Sequence, residues 1–168
     1  EADALHSAIR IMKETGADSL KIEGGVEVVP SIKKIIDAGI PVMGHIGLMP
    51  QSINKYGTYA LRANNEEEAR KLRSDAKALE EAGCYAIVIE KVPAVLAAEV
   101  AKSVSIPIIG IGAGSGADGQ VLVMHDMLGI NMDFSPKFLR RYANLNQVIS
   151  EAVVNYINDV KSGDFPNE

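Results

Sequence analysis

The chain has 168 residues, 47% hydrophobic and 23% charged, with a net charge of −5. That balance fits a globular domain with a real core and argues against a nucleic-acid-binding surface. A single cysteine, Cys84, excludes an internal disulfide framework, and no apolar run reaches the roughly 20 residues that cross a bilayer.

The first residues, Glu1 to Arg10, read as the inside of a helix, with no signal-peptide pattern and no initiating Met. The chain is therefore expected to begin partway through a longer protein. Leu5, Ala8, Ile9 and Met12 share one helical face, and Gly16 stops that helix. A strand, Ser19–Glu23, ends in Gly24-Gly25. A second helix carries Ile32, Ile35 and Ile36 and stops near Gly39, before the strand Pro41–Ile46. Gly47 to Asn64 is polar and irregular, a long loop of the kind that is usually functional or mobile. Asn65 is placed to cap a helix whose first turn holds Glu66-Glu67-Glu68 and whose stripe is Ala69, Leu72, Ala76 and Leu79. Gly83 ends it, and the strand Tyr85–Glu90 follows. Pro93 suits the first turn of the next helix. Two more strands are expected, Pro107–Ile111 running into Gly112-Ala-Gly-Ser-Gly116, and Gln120–Met124. A final helix carries Val148, Ile149, Ala152, Val153, Tyr156, Ile157 and Val160, and stops at Gly163.

Strands alternating with helices imply parallel βαβ units in one domain spanning 1–168. Two α/β architectures fit, a doubly wound open sheet and a (βα)8 TIM barrel. A whole barrel takes about 250 residues, so this chain would hold about five of the eight strands plus C-terminal helices.

Side chains alternate along a strand, so Lys21 and Glu23 share a face, as do Met43 and His45, and as do Ala86, Val88 and Glu90. Each strand places a polar residue at its C-terminal end, the edge where active sites of such sheets form. Lys21, Glu23, His45 and Glu90 together could abstract a proton beside a carbonyl and stabilise the enolate. Taken singly, each is a common solvated strand end or a satisfied buried histidine. The glycines at 110–116 are a weak dinucleotide fingerprint and read equally as a tight packing turn. His125 and Asp126 are adjacent and expected to point apart. Cys84 reads as an inert small residue, and no Cys/His cluster suggests zinc.

Five segments in order are distinctive: Lys21-Ile-Glu-Gly-Gly25, Gly44-His-Ile-Gly-Leu-Met-Pro-Gln-Ser52, Val88-Ile-Glu-Lys-Val-Pro93, Ile108-Ile-Gly-Ile-Gly-Ala-Gly114 and Asp118-Gly-Gln-Val-Leu-Val-Met-His-Asp126. Together they resemble the ketopantoate hydroxymethyltransferase family. The resemblance implies a TIM barrel and transfer of a hydroxymethyl group from 5,10-methylenetetrahydrofolate to α-ketoisovalerate, giving ketopantoate for pantothenate and coenzyme A synthesis. It implies Mg²⁺ on the keto acid, Glu90 as the general base, Lys21 and His45 as substrate-binding groups, and Glu23 as the acidic residue at the metal. It also implies a cytoplasmic homo-oligomer, a decamer, with small-molecule partners and neither nucleic acid nor membrane. Two family aspartates that bind metal and substrate belong upstream of Lys21, and Asp3 and Asp18 lack their context. Residues 1–168 alone are therefore expected to be inactive and to bind Mg²⁺ poorly.

Overall fold

Helical spacing of apolar residues produces α1 (Ala2–Glu14), on which Ala8 is buried and Leu5 and Met12 pack against the core. Ile9, expected on that face, is 36% exposed at its margin. The structure, a computed structural model, describes residues 1–133 and 135–167. After α1 come β1 (Leu20–Glu23), a 3₁₀ turn over Val26–Val28, α2 (Val29–Asp37) and β2 (Val42–Gly47). The expected long loop is partly built: it holds a 3₁₀ turn, Pro50–Ser52, and a one-turn helix α3 (Ile53–Tyr56) closed by Gly57 at φ +67°. Then follow α4 (Glu66–Glu81), β3 (Ala86–Glu90), α5 (Ala94–Ser103), β4 (Ile108–Ile111) and the short β5 (Gly119–Gln120).

Asn65 caps α4 as its sequence context requires, its side chain accepting the Glu68 N–H at 2.9 Å. The acidic run fills the first turn, where the positive end of the helix dipole favours it. Pro93 stands one residue earlier than expected. It is the N-cap of α5, and its carbonyl accepts the Ala97 N–H.

The five strands are parallel and lie in the order β1-β2-β3-β4-β5. That order separates the two architectures left open by the sequence. A doubly wound sheet reverses its strand order at a switch point, and this sheet has no reversal. With right-handed crossovers, strictly sequential order keeps every helix on one face, as in an arc of a barrel. α4 packs against β2 and β3, and α5 against β4. Ile32, Ile35, Val42, Ile46, Leu79, Ile87, Ile89 and Ile108, each at most 2% exposed, form the layer between sheet and helices. Burying each of these large side chains favours folding by roughly 1.5–3 kcal/mol.

The strand expected over Gln120–Met124 is shorter than its apolar run. Pairing with β4 stops after Gln120, and Met124–Met127 turns into a one-turn helix, α6, with the Asp126 and Met127 N–H groups donating to Val123. A short continuous apolar run does not distinguish strand from helix by periodicity, which is why it misled.

The described chain falls into two compact units, Glu1–Val121 and Leu122–Glu168. The second holds α6 and α7 (Leu145–Ser162), which ends at Gly163 with φ +79°. No described helix is long and apolar enough to cross a membrane.

Candidate active site

Register brings the polar strand ends together. Glu23 pairs with His45, and His45 with Val88; two residues further along, Gly47 pairs with Glu90. Lys21, Glu23, His45 and Glu90 therefore share the sheet face opposite the helix-packed isoleucines. All four candidate residues come together there.

The geometry is close. Lys21 Nζ lies 3.1 Å from His45 Nδ1 and 3.5 Å from Glu23 Oε1, and His45 Nδ1 is 3.7 Å from that same carboxylate oxygen. His45 is 3% exposed, while the Lys21 side chain is 41% exposed and reaches it from the open side. An ammonium has donors only, so at the Lys21 contact Nδ1 accepts, in the tautomer that carries its N–H on Nε2. Nε2 lies 3.2 Å from Glu90 Oε2, yet off the direction of a ring N–H hydrogen bond. It has no hydrogen-bond partner among the described residues. A buried donor left open beside a carboxylate is a place for a third group that accepts.

Backbone contacts hold the cluster. The Gln51 N–H donates to Glu23 Oε2 at 3.1 Å, and the Gly24 N–H donates to the His45 carbonyl at 3.0 Å. Gly47, at φ +91°, passes so near β3 that a Cβ there would stand 2.3 Å from the Glu90 carbonyl. Past Glu90 the chain turns through Lys91 at φ +47°, an uncommon conformation for a side-chain-bearing residue. Lys91 Nζ donates to the Tyr59 carbonyl and so ties down the loop before α4.

A cavity of about 370 Å³ borders Glu23 and is lined among others by Tyr56, Arg62, Lys71 and Asp75. Arg62 there pairs with Glu68 at 2.6 Å and lies 4.3 Å above the Tyr56 ring. Lys21, His45 and Glu90 do not line it, so it is not the space where those groups converge.

Mg²⁺ takes about six oxygen ligands in near-octahedral geometry. Among the described residues no group of three His, Cys, Asp or Glu side chains is placed to hold a metal. Glu23 is itself engaged, by Lys21 at Oε1 and by the Gln51 amide at Oε2. These residues do not by themselves fit a Mg²⁺ site.

The glycine run after β4 is a packing turn. A Cβ on Gly114 would meet Ala94 Cβ at 2.3 Å, and one on Gly116 would meet Ala98 Cβ at 2.6 Å, so the glycines let this loop lie against α5. His125 is exposed, whereas Asp126 is buried and accepts from Asn131 Nδ2 at 3.0 Å, so the two do not act as a pair. Cys84 is buried, and that burial pushes its thiol up to about 11.

Asp75 is the residue that strand-end reasoning passes over. It is 6% exposed, and its carboxylate accepts the Val26 N–H at 3.1 Å. The signal was present, since Asp75 interrupts the apolar stripe between Leu72 and Leu79.

Comparison with known proteins identifies the family. The family model described as ketopantoate hydroxymethyltransferase matches residues 1–168. A 3-methyl-2-oxobutanoate hydroxymethyltransferase of Parabacteroides distasonis is 68% identical over 99% of this chain and 61% of its own length. The proteins of that name from Phocaeicola vulgatus and Porphyromonas gingivalis are 63% and 66% identical, over 62% and 61% of their lengths. The chain thus spans about three fifths of the curated relatives it matches. Among solved structures, the YdjI aldolase of Escherichia coli K12 overlays with a TM-score of 0.43 at 18% identity, covering 71% of this chain and 49% of that one. The strand order argues the fold without it. With the whole chain matched and relatives above 60% identity, the chain belongs to the ketopantoate hydroxymethyltransferase family.

Proposed function

We propose that this chain carries the enolising half of a hydroxymethyl transfer from 5,10-methylenetetrahydrofolate to α-ketoisovalerate (3-methyl-2-oxobutanoate), with ketopantoate as product. The observation that carries the reading is the buried His45 ring, held at Nδ1 by Lys21 and open at Nε2 beside Glu90. The relatives are named as 3-methyl-2-oxobutanoate hydroxymethyltransferases, and the described groups suit the first step of such a transfer.

In this reading Glu90 takes the proton from C3 of the keto acid. Electron density moves to the keto oxygen, and the Nε2–H of His45 donates to it. The Lys21 cation adds positive charge at the substrate oxygens, where charge-assisted hydrogen bonds are strong. Glu23 holds Lys21 and limits its freedom. Water hydrolyses the two C–N bonds of the methylene bridge, releasing tetrahydrofolate and a carbon at the formaldehyde level. The enolate attacks that carbon, and the C3–CH₂ bond forms as the C=O π bond breaks. The new alkoxide takes the proton back from Glu90 to become the hydroxyl. Donors fixed in place before charge develops are the largest contributors to such catalysis. The cytoplasmic, homo-oligomeric protein that the family resemblance implies belongs to the same proposal.

The test is proton–deuterium exchange at C3 of α-ketoisovalerate, followed by NMR in D2O with Mg²⁺ in the buffer and no folate. The intact protein is expected to exchange that proton. Glu90→Gln should slow exchange by about 10²–10⁴-fold, the range of a lost general base. Undiminished exchange by a folded Glu90→Gln protein would remove Glu90 from the role.

A further inference from the structure

Two glycines follow the strand that carries Lys21 and Glu23, and the first adopts a positive φ that side chains resist. Gly24 has φ +137°, and Gly25 has φ −102°, ψ −130°. What makes Gly25 necessary lies on another element. A Cβ at that position would stand 2.0 Å from Asp75 Cγ and 2.1 Å from Asp75 Oδ1, inside the carboxyl group. The backbone therefore lies directly on the Asp75 carboxylate, and the next residue, Val26, donates its N–H to it at 3.1 Å.

An ionised carboxylate this buried needs partners. Lys71, one helical turn earlier on α4, supplies them, with Nζ at 2.9 Å from Oδ1 and 2.8 Å from Oδ2. Lys71 also reaches Glu27 Oε1 at 2.8 Å, just after the same turn. Burial works against the Lys71 cation, but its hydrogen bonds to Asp75 and Glu27 outweigh that and raise its pKa. The turn leaving β1 is thus bound to α4 through backbone amide, carboxylate and ammonium in series. Three residues back along the chain from Val26 is Glu23, whose carboxylate meets Lys21 and His45.

We infer that Asp75 is a positioning residue: from α4 it anchors the Gly24–Gly25–Val26 turn and so sets where Glu23 and Lys21 stand against His45. The inference rests on the enolisation proposed above. Asp75 does not touch that cluster itself; it acts through the backbone. Misplacing reacting groups by about 1 Å costs on the order of 10²-fold in rate.

The experiment compares Asp75→Ala, Asp75→Asn and, as a core control on α5, Val100→Ala in the intact protein. Readouts are kcat and KM for C3 exchange of α-ketoisovalerate, and native-state hydrogen exchange at the Val26 amide. Asp75→Ala is expected to lower kcat by about 10–100-fold with little change in KM, and to speed exchange at Val26. Asp75→Asn keeps an acceptor oxygen and should recover most of the rate. Val100→Ala should lose stability yet keep both kcat and Val26 protection. Gly25→Ala attacks the same contact from the other side and should reproduce the kcat loss, which keeps the test decisive where Asp75→Ala does not fold. Wild-type kcat in Asp75→Ala or Gly25→Ala, an Asn variant no better than Ala, or an equal loss in Val100→Ala would overturn the inference. The two failures are distinct: no exchange by the wild-type protein refutes enolisation, whereas lost Val26 protection with full exchange refutes only the positioning role.

Discussion

Gly44 lies on the helix-packed face of β2, between Val42 and Ile46, and replacing it tests both the register and the packing. A Cβ there would stand 2.8 Å from Leu79 Cδ1 and 3.5 Å from Ile87 Cγ1. Carbon atoms prefer about 3.5–4.0 Å, so only the Leu79 contact is violated. Leu79 is fully buried and cannot swing into solvent. Overpacking of this kind costs roughly 1–3 kcal/mol, and removing a strand glycine returns about 0.5–1 kcal/mol of backbone entropy. Gly44→Ala should therefore destabilise by about 0.5–2 kcal/mol. Leu79→Ala alone should cost about 2–5 kcal/mol by leaving a cavity. In the double variant the new methyl enters that cavity, and the pair should cost about 1–2 kcal/mol less than the sum of the two. Urea unfolding followed by circular dichroism measures all four proteins. Effects that simply add, within about 0.5 kcal/mol, would refute the argued contact between β2 and α4.

Glu80 accepts hydrogen bonds from the Ser105 N–H and hydroxyl and from Lys77, which hold its carboxyl down to about 2. A depressed folded pKa stabilises above the ordinary carboxylate value, and that stability is lost as pH falls. Glu80→Gln should thus be less stable than wild type at pH 6, and the difference should close between about pH 4.5 and 2 in thermal melts. A gap that stays constant across that window would dismiss the ionised contact. Cys84, with its thiol raised by burial, should react with iodoacetamide at pH 8 far more slowly in the native protein than in guanidinium, as mass spectrometry would show. Rapid native labelling would mean that Cys84 is not buried. Asn65→Ala removes the side-chain cap of α4 and should cost about 1 kcal/mol in urea unfolding, with Asn65→Asp close to neutral.

Much of this architecture was legible in the residues, and the reasons are local. Strand alternation and the C-terminal ends of parallel strands placed Lys21, Glu23, His45 and Glu90 on one edge, because period 2 leaves no freedom within a strand once it is found. The α4 cap and stripe followed from Asn65 and from spacing. Three things were not legible. The end of β5 depends on whether a neighbouring strand continues to pair, and Val121 to Met124 carry no sign of that. Asp75 was missed because its meaning lies in a contact 49 residues away with a backbone amide. The open Nε2 of His45 also needed coordinates, since it follows from which nitrogen Lys21 meets.

The end of β3 is fastened by main-chain groups. The Glu90 carbonyl accepts from the Leu48 N–H and the Lys91 carbonyl from the Arg62 N–H, each at 2.8 Å, while the Lys91 N–H donates to Ile111 at 2.9 Å. Amide bonds of this sort ignore side-chain identity. Exposed side chains between 49 and 61 can therefore be changed while this hold on the Glu90 backbone stays the same, whereas Leu48, 1% exposed, is held by burial as well. Proline is the exception: at 48 or 62 it would delete one of these donors and release one of the ties behind Glu90.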